Sequence, residues 1–134
     1  MSAQLVERLA FILVEYLDAI ENVRLGLAIA RGTYKSETDH LTSGLKRLRE
    51  LRQGLHESID FLVQTVDIEA VDREDLVDIE SLLSYYLIAT YDTEREVLEE
   101  ASDIIDTNWD LEELRILRSK IEVALERISE LSKS

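Results

Sequence analysis

Proline and cysteine are both absent from this chain, and glycine occurs only four times in 134 residues. Without proline, no residue removes a backbone donor from the interior of a helix. Without cysteine, disulfides, thiolate nucleophiles, zinc–thiolate sites and iron–sulfur clusters are excluded. The longest unbroken apolar run is LAFILV, residues 9–14, far short of the roughly 20 residues that a membrane-spanning helix needs. We therefore expect one domain over residues 1–134 with no membrane segment and, because no secretory signal pattern is visible, a cytoplasmic location.

The charge of the chain is strongly acidic and unevenly distributed. The formal net charge is −14. Residues 1–56 carry 8 basic and 7 acidic side chains, a net of +1, whereas residues 57–134 carry 7 basic and 22 acidic side chains, a net of −15. Because an acidic surface repels phosphate, direct binding to nucleic acid or to an anionic membrane is not expected. A protein partner or a second copy of the chain is the expected ligand.

Apolar residues recur at spacings of three and four along nearly the whole chain, which is the period of an amphipathic helix. The pattern predicts helices over about residues 3–31, 37–66, 73–107 and 110–131. Short connections make successive helices antiparallel. The predicted fold is all-α, an elongated antiparallel up-down-up-down four-helix bundle. In that arrangement Gly26 and Gly44 come close together, and either permit a close approach of the first two helices or are simply tolerated.

A line of six carboxylates on the third predicted helix has three possible interpretations. Its members follow one another at spacings of four and three: Asp92, Glu96, Glu99, Asp103, Asp106 and Asp110. A metal site is disfavoured because carboxylates along one helix face diverge rather than converge on an ion. The line could imitate the phosphates of a nucleic acid. The favoured interpretation is a solvated face partly paired with basic residues. These are Lys46, Arg47, Arg49 and Arg52 across the second turn, and Arg115 and Arg118 across the last.

Some apolar residues exceed what the core of the predicted bundle needs. On the first helix they form a third face, and on the third helix a tyrosine lies outside the core-facing positions. Such a surplus indicates burial against a partner, and aromatic residues with a polar tip suit an interface. The predicted partner-binding residues are Phe11, Val14, Leu25, Ile29 and Tyr85, together with the six carboxylates.

The two histidines, His40 and His56, have no strong motif around them. The fragment from His56 through Glu57 to Ile59 resembles the phospho-acceptor box of histidine-kinase dimerisation helices. That box has a proline where this chain has Phe61. A surface histidine without a special role is the favoured interpretation of both.

No nucleophile elbow, P-loop or dinucleotide fingerprint is present. We therefore expect no enzymatic activity, no cofactor and no metal. The predicted function is a protein–protein interaction module, acting as an adaptor, chaperone or inhibitor subunit and forming a homodimer. Two alternatives are an acidic nucleic-acid mimic that blocks a DNA- or RNA-binding protein, and a histidine phosphotransfer protein.

Overall fold

The computed structural model describes residues 2–32, 38–65 and 71–133, and within these ranges it contains helices and no strand. Helix α1 spans Ser2–Arg31 and α2 spans Asp39–Asp60, continued by a π-helical turn at Phe61–Thr65. The third helix consists of α3 (Arg73–Tyr85), a π-helical turn (Tyr86–Thr90) and α4 (Tyr91–Ala101). Helix α5 spans Asn108–Lys133. The predicted all-α fold is confirmed, and most of the first and second predicted loops lie outside the described residues.

The third helix, referred to below as the α3–α4 helix, is continuous but not uniform. At its π-helical turn the Tyr91 N–H donates to the Tyr86 carbonyl, five residues back, so this turn holds an extra residue. The helix ends at Ala101, six residues before the predicted end at 107. Turns then connect it to α5, and the Thr107 hydroxyl donates a hydrogen bond of 2.8 Å to the Leu98 carbonyl. The chain therefore reverses direction between α4 and α5, and this hydrogen bond holds the start of α5 against the end of α4.

Helices α1 and α2 are antiparallel and lie unusually close together. A Cβ atom on Gly26 would lie 2.5 Å from the Leu41 Cα atom, and one on Gly44 would lie 3.0 Å from the Val23 nitrogen. The backbone of each helix thus fills the space that a side chain would need. The close approach predicted for Gly26 and Gly44 is confirmed.

The other helix directions follow from residues that meet along each pair. Leu13 and Leu82 line one groove, and further along the same two helices Arg31 lies 3.8 Å from Glu100. From the first contact to the second the residue number increases on both helices, so α1 and the α3–α4 helix run parallel. The same reasoning applies to α2 and α5, where Arg49 pairs with Asp110 and Asp60 pairs with Lys120.

The order of the helices around the bundle places α1 between α2 and the α3–α4 helix, while α5 contacts α2 and the α3–α4 helix. Helix α2 and the α3–α4 helix therefore face each other across the centre rather than side by side. The apolar core fills the space between all four helices, and its fully enclosed members include Leu9, Leu48, Leu55, Leu83 and Leu98.

Candidate functional site

A group of charged side chains crosses the centre of the bundle. Arg52 on α2 donates from Nε to Glu94 Oε2 at 3.1 Å and from Nη1 to Asp110 Oδ1 at 3.0 Å. Arg49, one turn earlier, donates from Nε and Nη2 to the two Asp110 oxygens, each at 2.8 Å. The Tyr86 hydroxyl donates to Glu94 Oε1 at 2.8 Å. Two arginines and two carboxylates balance each other's charge, which is what burial of ions requires.

This central polar layer also contains hydroxyls that have no hydrogen-bond partner among the described residues. Tyr16 on α1 packs against Tyr86 with ring centroids 5.5 Å apart. The Tyr16 hydroxyl, the Thr90 hydroxyl and Arg52 Nη2 are buried and unpaired. The layer is therefore only partly satisfied, and its members come from all four helices of the bundle.

The protonation of the layer follows from burial and from the arginines. Burial raises the pKa of the Glu94 carboxyl, and the bonds from Arg52 and Tyr86 offset only part of the increase. Burial would also raise the pKa of Asp110, but the bonds from Arg49 and Arg52 outweigh it and hold that pKa below its usual value. Burial raises the pKa values of Tyr16 and Tyr86 well above the ordinary tyrosine value.

Sequence reasoning missed Glu94 and placed Asp110 wrongly. Asp110 was predicted to be exposed on the acidic line, but its side chain is fully buried against Arg49 and Arg52. Glu94 lies between Thr90 and Val97 at a core-facing position and is also fully buried. The available signal was a charged residue at a position where the helical period calls for an apolar one.

The rest of the acidic line lies on the surface and is partly neutralised. Asp92 and Glu99 flank Arg95 at 3.5 and 3.8 Å, and Asp103 lies 3.8 Å from Arg31. Glu96 and Asp106 are exposed, but Asp106 lies beyond the end of α4 and accepts a hydrogen bond from the Asn108 N–H. The six carboxylates therefore do not form one continuous line.

The predicted pairing of basic residues with the acidic line was right only in part. Arg115 and Arg118 do not reach the acidic line, because they pair along their own helix with Glu112 and Glu122. The Arg118 guanidinium lies 4.8 Å from the Tyr91 ring centroid. Of the residues predicted to pair across the second turn, Arg52 contacts Glu94 and Asp110, and Arg49 contacts Asp110. Arg47 pairs with Glu15 on α1 instead.

The predicted apolar interface residues are largely at the surface. Phe11, Val14 and Leu25 are more than half exposed, Tyr85 is nearly half exposed, and Ile29 is partly buried. Val14 and Tyr85 border a groove of about 290 Å³ between α1 and the α3–α4 helix. This groove, referred to below as the α1–α3 groove, is lined by Ala10, Leu13, Val14, Leu17, Leu82 and Tyr85.

His56 is not the surface residue that was predicted. Its side chain is buried, with Nε2 lying 3.6 Å from Glu113 Oε2. Burial lowers the pKa of His56, and the nearby Lys120 lowers it further. A nitrogen enclosed in this way is poorly placed to accept a phosphoryl group from another protein. His40 is exposed at the start of α2, as predicted.

Within the described ranges, no group of three or more histidine, aspartate or glutamate side chains converges in a way that could hold a metal ion. None of the described helices is both long enough and apolar enough to cross a membrane. Comparison of the chain with protein-family models, with curated proteins and with solved structures finds no match.

Proposed function

We propose that this chain is a non-enzymatic protein-interaction module that binds a basic amphipathic helix of a partner protein in the α1–α3 groove. The observation that carries the proposal is an exposed apolar groove bordered by acidic side chains. Adaptor, chaperone and inhibitor subunit remain the possible roles, and a cytoplasmic location remains part of the proposal.

The groove suits the apolar face of a helix. Its lining is almost entirely aliphatic apart from Tyr85, and its rim residues Val14, Leu17 and Tyr85 are each about half exposed. Amphipathic helices bind such grooves through apolar anchors spaced three, four and seven residues apart. An exposed apolar patch with a polar border is characteristic of a binding surface.

The border of the groove is acidic on both sides. Glu7 and Asp18 lie on α1 within two turns of Val14, and Asp78 lies one turn before Leu82. All three carboxylates are exposed and have no ion-pair partner among the described residues. Opposite charge on a partner would steer association and fix its orientation, so the partner helix is expected to carry Lys or Arg beside its apolar face.

Three arginines of α2 are already paired with other carboxylates and do not balance that border. Arg47 pairs with Glu15 on α1, and Arg49 and Arg52 are committed to the central polar layer. A second copy of the chain would bring the same acidic border to the groove, and like charges disfavour that association. The basic partner is therefore preferred at this site.

The nucleic-acid mimic has less support. It needs a continuous row of free carboxylates, whereas Asp110 is buried and Arg95 and Arg31 pair with Asp92, Glu99 and Asp103. The phosphotransfer alternative is weakened by the burial of His56.

The test uses a synthetic helical peptide with leucines at positions one, four, five and eight and lysines beside them. We expect binding that weakens as salt rises and that falls about tenfold or more in Val14→Asp, which places a charge in the apolar lining. Val77→Asp, at an exposed position of α3 that does not line the groove, is the matched control. Equal binding of a peptide with glutamates in place of the lysines, or no effect of Val14→Asp, would contradict the proposal.

A further inference from the structure

A second apolar surface lies on the side of the bundle away from the α1–α3 groove. Trp109, Ile116 and Val123 are exposed on α5 at intervals of seven residues, so they form one stripe along the helix. Beside the stripe is a groove of about 350 Å³ between α5 and α2, lined in part by Ile59, Val63, Ile116 and Val123. We infer that two copies of this chain associate through this stripe, with their α5 helices antiparallel about a two-fold axis at Ile116.

The charge of this surface permits a second copy. Helix α2 carries 4 acidic and 4 basic residues, and α5 carries 6 acidic and 5 basic residues. The α3–α4 helix, in contrast, carries 9 acidic and 2 basic residues. Because two copies carry −14 each, they approach with less repulsion through the nearly neutral α2–α5 side than through the α3–α4 helix. A surface with so little net charge does not favour a strongly basic or strongly acidic partner.

The pattern along α5 is complementary to itself. A two-fold interface brings residue i against j and j against i. With the axis at Ile116, Trp109 faces Val123 of the second copy, since both lie seven residues from the centre. Glu112 and Lys120 flank this centre and are paired within their own chain, with Arg115 and Asp60. The stripe thus combines an apolar centre and an aromatic anchor with a charge-balanced edge.

Trp109 is held in place for such a contact. The Arg49 guanidinium lies 5.6 Å from the centroid of the Trp109 ring, and the same guanidinium is fixed by two hydrogen bonds to Asp110. A large side chain that is exposed and yet restrained loses little conformational freedom on association.

Sedimentation equilibrium of the full chain tests the inference. We expect a mass that approaches twice the monomer mass of 15.4 kDa as concentration rises. Ile116→Asp puts two carboxylates on the axis and should raise the dimer dissociation constant about tenfold or more. Ile88→Asp is the control, because Ile88 is 80% exposed on the acidic α3–α4 helix. A monomeric wild-type chain, or equal effects of the two variants, would overturn the inference.

Cross-linking provides a measurement that does not depend on loss of association. The chain contains no cysteine, so Ile116→Cys introduces a single thiol close to its own copy at the two-fold axis. Under mild oxidation we expect rapid disulfide-linked dimer from Ile116→Cys and little from Ile88→Cys. Faster cross-linking of Ile88→Cys would place the interface elsewhere. Retained peptide binding by Ile116→Asp would show that the dimer and the proposed partner groove are separate properties.

Discussion

Arg52 and Glu94 meet at 3.1 Å across the centre of the bundle, and both side chains are almost completely shielded from water. They belong to helices that face each other diagonally, so the pair joins opposite sides of the fold. A buried ion pair contributes little net stability because desolvation of both groups offsets their attraction. Removal of only one member of the pair, however, leaves the other as an uncompensated charge in the core.

Replacement of Arg52 by leucine should therefore be severely destabilising. We expect Arg52→Leu to lower the free energy of unfolding by about 3–5 kcal/mol, because Glu94 remains buried without its cation. The double variant Arg52→Leu, Glu94→Leu should recover most of that loss. Urea denaturation measures both. Arg8→Leu, which breaks the exposed pair with Glu57, is the control and should cost no more than about 1 kcal/mol.

The hydroxyl of Tyr86 should matter much more than that of its neighbour. Tyr86→Phe removes the donor to Glu94 and leaves a buried acceptor with one bond fewer, at an expected cost of about 1–3 kcal/mol. Tyr85→Phe alters a side chain that is nearly half exposed and should stay within about 0.5 kcal/mol of the wild type. Thermal and urea denaturation of the two single-atom variants make the comparison, and equal stabilities would contradict the described network.

The close approach of α1 and α2 predicts opposite outcomes at two glycines. Alanine favours a helix over glycine by roughly 1 kcal/mol. At Gly26 a Cβ would meet the Leu41 backbone at 2.5 Å, so Gly26→Ala should be destabilising by about 1–3 kcal/mol through overpacking. At Gly54 the nearest atom is the flexible Ile12 Cδ1 at 3.2 Å, so Gly54→Ala should be neutral or stabilising. Unfolding free energies of the two variants provide the test.

The burial of His56 predicts a loss of stability in mild acid. Its pKa in the folded chain lies below the ordinary value of 6.5, so the unfolded chain binds a proton more readily. The free energy of unfolding should then fall as the pH drops below about 6.5, until the folded imidazole is also protonated. The charged groups that face His56 are Glu113, Asp60 and Lys120.

The measurement for His56 is the free energy of unfolding between pH 5 and 7.5. We expect His56→Gln to have a shallower slope than the wild type over that interval, because its side chain does not titrate. His40→Gln, at an exposed position, is the control and should keep the wild-type slope. A wild-type slope in His56→Gln would show that the histidine is accessible to water in the folded chain.

The helices and most of the core could be predicted from the sequence because apolar spacing is a local property. Along α5 the three-and-four spacing of apolar residues selects Leu114, Leu117, Ile121, Ala124, Ile128 and Leu131, of which the first five are buried and Leu131 is partly buried.

The central polar layer could not be predicted in the same way, since its charges are compensated only by tertiary contacts. Asp110 is an ordinary helix-start residue in the sequence, and only the position of α2 beside it brings Arg49 and Arg52 within reach. The spatial order of the helices was equally hidden. Short connections fix the direction of each helix but do not decide which helix stands diagonally opposite α2.

The extra residue in the π-helical turn at Tyr86–Thr90 determines which side chains of α4 face the core. If one residue were removed there, a regular helix would continue and α4 would rotate by about 100° relative to α3. Glu94 would then point away from Arg52, and a different set of side chains would enter the interior. The π-helical turn thus allows the apolar faces of both α3 and α4 to pack against the same core.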